Sequence, residues 1–139
     1  MLKIGIISDT HGSLPSKVFN IFSGVDLIIH AGDIGNDDII TELSSICRVV
    51  AVHGNMDTHE LALKYPKQTV FEEYGYKFHL SHKDSYNAGA VDIVIQGHTH
   101  TPLIKRETGK LHINPGKASS SVALLDVDNN LLDARIIFI

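Results

Sequence analysis

Cys47 is the only cysteine in this chain of 139 residues, which excludes an internal disulfide and fits a reducing compartment. It follows an apolar, helix-like run and reads as a packed thiol, not a nucleophile. A basic surplus is missing too, since 12 Lys and Arg stand against 16 Asp and Glu for a net charge of −4. That leaves no footprint for nucleic acid or for an anionic membrane surface. No run approaches the roughly 20 apolar residues of a membrane span. The opening stretch, Met1 to Ser8, lacks the long apolar core of a secretory signal. Tyr65, Tyr74, Tyr76 and Tyr86 form no stacking array for bases and read as packing and hairpin residues. No internal repeat, low-complexity tract or linker interrupts the chain. These absences describe a soluble, cytoplasmic protein of one domain, residues 1–139, long enough to bury about two-thirds of its unfolded surface.

Histidine, by contrast, is abundant, with nine in so short a chain. Their placement follows the order of elements. Residues 2–8 are almost continuously apolar and isoleucine-rich, the pattern of a strand buried on both faces in a parallel sheet. Leu14, Val18, Ile21 and Phe22 recur at helical spacing, with Pro15 where a first-turn proline is tolerated. Val25 to Ile29 is a second strand. Asp37 or Asp38 caps a helix that turns Ile39, Ile40, Leu43 and Ile46 inward, and Val49 to Val52 is a third strand. This β-α-β-α-β order implies parallel strands with right-handed crossovers. The second half reads as hairpins around Tyr74-Gly75-Tyr76, Glu107-Thr108-Gly109-Lys110 and Asp128-Asn129-Asn130, with a short strand over Asp92–Gln96. Two packed mixed sheets with outer helices are expected.

Polar donors sit at the strand ends. Asp9 and His11 follow the first strand, Asp33 the second and Asn55 the third. His82 ends a hairpin strand, and His98 and His100 follow the Asp92–Gln96 strand. Ligands of open α/β sheets gather beyond the carboxyl ends of strands, so all seven point to one rim. Residues two apart in extended backbone project to one side, which lets Asp9 with His11, and His98 with His100, aim at one centre. Glycines 12, 32, 54 and 97 allow sharp turns beside the donors. Carboxylate, amide and imidazole without thiolate suit Mn²⁺, Fe, Zn²⁺, Ni²⁺ or Co²⁺. Taken singly, Gly32-Asp33 and Gly54-Asn55 are ordinary turn dipeptides. Together, in this order, the seven donors describe a site for two metal ions, with Asp33 in the middle as the natural bridge.

The pieces Asp9-Thr10-His11-Gly12, Gly32-Asp33, Gly54-Asn55-Met56-Asp57, His82 and Gly97-His98-Thr99-His100 resemble the calcineurin-like metallophosphoesterase family, and within it the small single-domain phosphodiesterase branch. Ile113-Asn114-Pro115-Gly116 is similar to that family's trailing turn. The resemblance spans nearly the whole chain and implies a four-layer α-β-β-α sandwich. It also implies that Asp9, His11, Asp33 and His100 hold one ion, and that Asp33, Asn55, His82 and His98 hold the other. Mn²⁺ is the first expectation for both. Two such ions can hold a bridging hydroxide as nucleophile and clamp the phosphoryl oxygens.

The chain departs from the family pattern in three places. Larger members carry a histidine directly after the Gly-Asn, placed to protonate the leaving group, where this chain has Met56. Asp57 is the candidate substitute, which makes Asn55, Asp57 and His98 the candidate catalytic residues. Slow turnover, or a preference for leaving groups needing little protonation, is the expectation. Relatives follow the His82 position with glycine, whereas Lys83-Asp84 stands here and Lys83 is a candidate phosphate contact. The short connection from His82 to His98 leaves room for only a short helical turn over Asp84 to Ala90, trimming a peripheral helix. His30 and His53 are candidates either to orient a carboxylate or to bond backbone, and His59 to line a substrate pocket. His79 and His112, within strand-like runs, read as structural or surface residues. The expected partner is a small phosphoester substrate, and Ile136-Ile137-Phe138-Ile139 suits either the core or a homodimer. The alternatives are a phosphomonoesterase and a protein-interaction scaffold of this fold, as in a relative that works in membrane-coat assembly.

Overall fold

The computed structural model describes residues 1–83 and 89–139. The helical turn expected over Asp84 to Ala90, and Tyr86 within it, involve residues outside that description. Two five-stranded mixed sheets pack face to face. In the first, β1 (Leu2–Ile7) is parallel to β2 (Leu27–His30), and β2 is parallel to β3 (Val49–Ala51). The C-terminal hairpin of β9 (Ser121–Asp128) and β10 (Leu131–Phe138) returns to this sheet, β9 lying antiparallel to β1. The second sheet has the order β4 (Gln68–Glu73), β5 (Tyr76–Ser81), β6 (Ile93–Ile95), β8 (Lys110–Asn114), β7 (Leu103–Glu107). Its three inner strands, β5, β6 and β8, are parallel, and the two hairpin partners are antiparallel.

The expected turns follow from their residues. Tyr74-Gly75 and Thr108-Gly109 each place two successive residues in the left-handed region, the backbone of a type I′ hairpin turn that matches strand twist. Alternation then decides which face each strand buries. Ile4, Ile6, Leu27, Ile29, Leu125 and Val127 of the first sheet meet Phe78, Leu80, Ile93, Ile95 and Ile113 of the second. Phe71 and Phe78 stack within this layer with ring centroids 5.0 Å apart.

All three described helices cover the outer face of the first sheet. Alpha-helix α1 (Lys17–Ile21) begins later than its spacing predicts, because Pro15 and Ser16 form a preceding turn that Val18 and Phe19 close. Leu14 still packs against the outer cluster with Val18 and Phe22. Helix α2 (Asp38–Ser44) buries Ile39, Ile40 and Leu43 as expected, and Ile46 is half-buried beyond its end. Its cap differs from expectation. The Asn36 side chain accepts from the Asp38 N–H at 2.9 Å, and Asp37 instead accepts from the Lys64 ammonium and the Tyr65 hydroxyl. Those two residues close α3 (His59–Lys64), a short helix with a single buried side chain, Leu61. Thr58 caps it by accepting from the Leu61 N–H. None of the helices of the described residues is long and apolar enough to cross a membrane.

Candidate metal centre

The six parallel strands of the two sheets end at one rim, and the rim carries the donors. Asp9 leaves β1, Asp33 follows β2, Asn55 follows β3, His82 follows β5, and His98 and His100 follow β6. Backbone ties draw the loops together: Asp9 N–H donates to Gly32 O, His11 N–H to Asp33 O, and Gly97 N–H to His82 O, each at 3.0 Å. Five donor residues adopt left-handed backbone, Asp9, His11, Asp33, His98 and His100, with φ between 49° and 67°. Asp and His tolerate that region better than most side chains, and its concentration here marks a site where the fold holds strain for a purpose.

Each buried donor has one polar atom tied by a hydrogen bond, and on Asp9 and His82 the other is buried without a partner among the described residues. On Asp9, Oδ2 accepts from the Ser8 hydroxyl at 2.7 Å and the His98 N–H at 3.2 Å, while Oδ1 is buried without a partner. On Asp33, Oδ1 accepts from the Met56 N–H at 2.9 Å, and Oδ2 faces the His82 Nε2 at 3.2 Å. His82 Nδ1 donates to the Ala31 carbonyl at 2.7 Å, since that oxygen can only accept. The remaining nitrogen, Nε2, therefore presents a lone pair, and it too is buried without a hydrogen-bond partner. His82 Nε2 stands 3.9 Å from Asp9 Oδ1. His100 Nε2 approaches Asp9 Oδ1 to 3.2 Å and His11 Nε2 to 3.8 Å.

Two overlapping ligand groups result: Asp9 with His11 and His100, and Asp9 with Asp33 and His82. Buried polar atoms are rarely left without partners. Orphaned acceptors on Asp9 and His82, aimed at one another's surroundings and backed by tied second atoms, are what a divalent cation would satisfy. The donor set fits a metal.

The sequence-predicted residues are placed unequally. Asp9, His11, Asp33, His82 and His100 come together. Asp9 Oδ1 is common to both groups, where Asp33 is the bridge expected from its central position. Asp33 Oδ2 nevertheless also spans the two, at 3.9 Å from His11 Nε2. His98 joins neither group; its backbone N–H holds Asp9, and its ring packs edge-on against His82 with centroids 5.3 Å apart. Asn55 is exposed and lines a cavity shared with His82.

Asp57 has another task than proton donation. Its Oδ1 accepts from the Gly35 N–H and its Oδ2 from the Gly54 N–H, both at 2.8 Å, so it brackets the loops after β2 and β3. Each oxygen is thus engaged by a backbone N–H. Met56 is 69 % exposed and contributes only its backbone N–H to Asp33.

The remaining histidines sort by their bonds. His30 Nδ1 accepts from the Gly32 N–H at 3.1 Å. Thr10 gives its hydroxyl proton to Ile34 O, so it accepts from His30 Nε2, which fixes one neutral tautomer. Burial lowers the His30 pKa to about 4, against the opposing pull of the Asp57 and Asp9 carboxylates. His30 thus braces the Asp9 and Asp33 loops without touching a carboxylate. His53 Nδ1 donates to Tyr65 O at 2.7 Å, a bond to backbone. His59 opens α3 and is absent from the cavity beside the site. His79, in β5, meets Gln68.

Two features escaped the sequence reading. Asn114 donates to Gly97 O at 2.8 Å and Thr99 Oγ1 at 3.0 Å, and accepts from Gly116 N–H, clamping the loop that carries His98 and His100. The Asn-Pro-Gly run at 114–116 was its only visible signal. Gly54 and Gly97 serve by close approach as much as by turning: a Cβ on Gly54 would strike the Asp33 carboxylate, and one on Gly97 the Ser8 hydroxyl and Asp9.

Residues 2–130 match the calcineurin-like phosphoesterase superfamily domain. A protein of Methanothermobacter thermautotrophicus named "probable metallophosphoesterase" is 36% identical, over 96% of this chain and 91% of its own. Among solved structures, an archaeal phosphodiesterase superposes with a TM-score of 0.83 at 27% identity, covering 99% of this chain and 100% of its own. Vps29 of Chaetomium thermophilum superposes with a TM-score of 0.82, covering 100% of this chain and 97% of its own; at 16% identity that likeness is one of fold alone.

Proposed function

The chain belongs to the calcineurin-like phosphoesterase superfamily, and from that premise we propose that it is a dinuclear, metal-dependent phosphodiesterase. The observation that carries this reading is the pair of buried, unpartnered atoms on Asp9 and His82, with Asp33 Oδ2 3.2 Å from the latter. Asp9, His11 and His100 would hold an ion on the exposed side, and Asp33 and His82 one on the buried side. Asn55 and His98 stand beside the buried group as further ligands. Bound there, two divalent ions, Mn²⁺ first among them, would supply Lewis-acid activation of the phosphoryl group and of the attacking water.

What the chain itself supplies is orientation. Ser8, Met56 and Ala31 fix the second atoms of Asp9, Asp33 and His82 before anything binds, so little reorganisation is needed. What it withholds is an acid. Asp57 is engaged by two N–H donors and Met56 is apolar, so no imidazole follows Asn55 in the chain to protonate the leaving oxygen. Esters with weakly basic leaving groups should therefore react best.

The relatives named for phosphodiester cleavage support a diester over a monoester. A scaffold role has only a likeness of fold behind it. The test is chelator-stripped protein reloaded with Mn²⁺ and offered bis(p-nitrophenyl) phosphate beside p-nitrophenyl phosphate. Hydrolysis returning with the metal, with the higher kcat/KM on the diester, is expected. A fully loaded chain that turns over neither would sink the proposal.

A further inference from the structure

A cavity of about 420 Å³ opens beside the metal centre on the His82 side. Its lining includes Lys67, Lys83, Ser81 and the centre's own His82 and Asn55, and no carboxylate among the described residues. That is notable in a chain of net charge −4. Strand pairing explains the juxtaposition: Gln68 on β4 stands opposite Ser81 on β5, so the lysines just before one and just after the other flank the same mouth. Both ammonium groups are on exposed residues, at the end of flexible stems that can reach an anion. Ser81 adds an independent sign. It is 2 % exposed, lines this cavity, and its Oγ has no hydrogen-bond partner among the described residues. A buried hydroxyl without a partner, in a cavity that two lysines also line, is a donor in want of an acceptor.

We propose that this cavity is a second anion subsite, so that the preferred substrate is a phosphodiester bearing a further phosphate on the group that enters it. The inference rests on the phosphodiesterase reading for the word substrate, while the subsite itself rests on Lys67, Lys83 and Ser81. The scissile phosphate would be held by the metal ions that Asp9, Asp33 and His82 would bind; the second phosphate would lie between Lys67 and Lys83 and accept from Ser81 Oγ. The remote charge then positions the reacting diester, which raises selectivity without touching the bond that breaks. Exposed cations are screened by salt, so the preference should be strongest at low ionic strength.

Calorimetric titration of Mn²⁺-loaded protein tests this without turnover, using adenosine 3′,5′-bisphosphate against adenosine 5′-monophosphate. The bisphosphate should bind about tenfold tighter or better, and K67Q with K83Q should bring the ratio close to one. S81A should reduce it in part. Equal affinities in the unaltered chain, or a preference that survives the double substitution, would overturn the proposal. So would a monophosphate whose binding matches the bisphosphate once inorganic phosphate is added, because the subsite would then take free phosphate. A chain that hydrolyses diesters but shows no such preference loses the subsite alone. One that prefers the bisphosphate yet hydrolyses no diester keeps the subsite and loses the phosphodiesterase reading.

Discussion

His82 and His100 reach toward the same Asp9 oxygen from opposite circumstances. His82 comes from the second sheet with a side chain 3 % exposed, its ring pinned by the Ala31 carbonyl. His100 comes from a loop with a side chain 42 % exposed, and no hydrogen bond fixes its ring among the described residues. His11, on the same side, is 36 % exposed. One half of the centre is therefore set by packing and hydrogen bonds before a metal arrives. The other half is held by loop backbone and would be completed by a bound metal. Pre-set ligands lose less freedom on binding, so the buried half should bind the tighter ion and the exposed half the exchangeable one.

The largest test of this contrast is D33A. Asp33 Oδ2 faces both halves, so its loss should remove both ions and lower hydrolysis of an aryl diester by about a thousand-fold or more, the several kcal/mol a metal contributes. Retention of one ion at full activity would show the halves to be independent. Next, H82A should weaken the tighter ion by about 100-fold or more, whereas H100A should weaken only the exchangeable one, by about 10–100-fold, the range seen when support around a metal is removed. Equal losses would erase the distinction.

A third test concerns the scaffold under the buried half. His30 is buried neutral with its pKa lowered from 6.5 to about 4. The unfolded chain takes up that proton first as pH falls, so stability should be intact above about pH 6.5 and decline down to about pH 4. The span sets a ceiling of about 3 kcal/mol. Chemical denaturation of metal-stripped protein across that range measures it, and H30N should flatten the slope. The smallest effect is expected from D57N. Replacing one N–H acceptor by an amide donor should cost about 1–3 kcal/mol of stability. The pH–rate profile should keep its shape, whereas loss of an alkaline limb would restore Asp57 as a proton donor.

The same contrast separates what the sequence made legible from what it hid. Asp9, His11, Asp33, His82 and His100 were legible because strand ends and residue type fix them. The hairpins were legible because Tyr74-Gly75 and Thr108-Gly109 are turn chemistry between apolar runs. Helix α3 was hidden: six residues with one buried side chain, Leu61, give too little periodicity, and its docking runs through Asp37, far away in the chain. The loop-bridging role of Asp57 was hidden for the same reason. Its role depends on the Gly35 N–H, which only the folded loops bring to it. At Gly54 and Gly97, spacing revealed a turn but not the carboxylates that fill the space of a Cβ. His98 could be placed at the rim, but that its backbone and not its ring meets Asp9 belongs to the tertiary fold.

The most direct measurement is equilibrium dialysis of chelator-stripped protein against Mn²⁺, counting ions per chain. Two ions are predicted, bound with separated affinities, with the tighter one retained in H100A. A single ion, or none, at saturating Mn²⁺ would contradict a centre built in two halves.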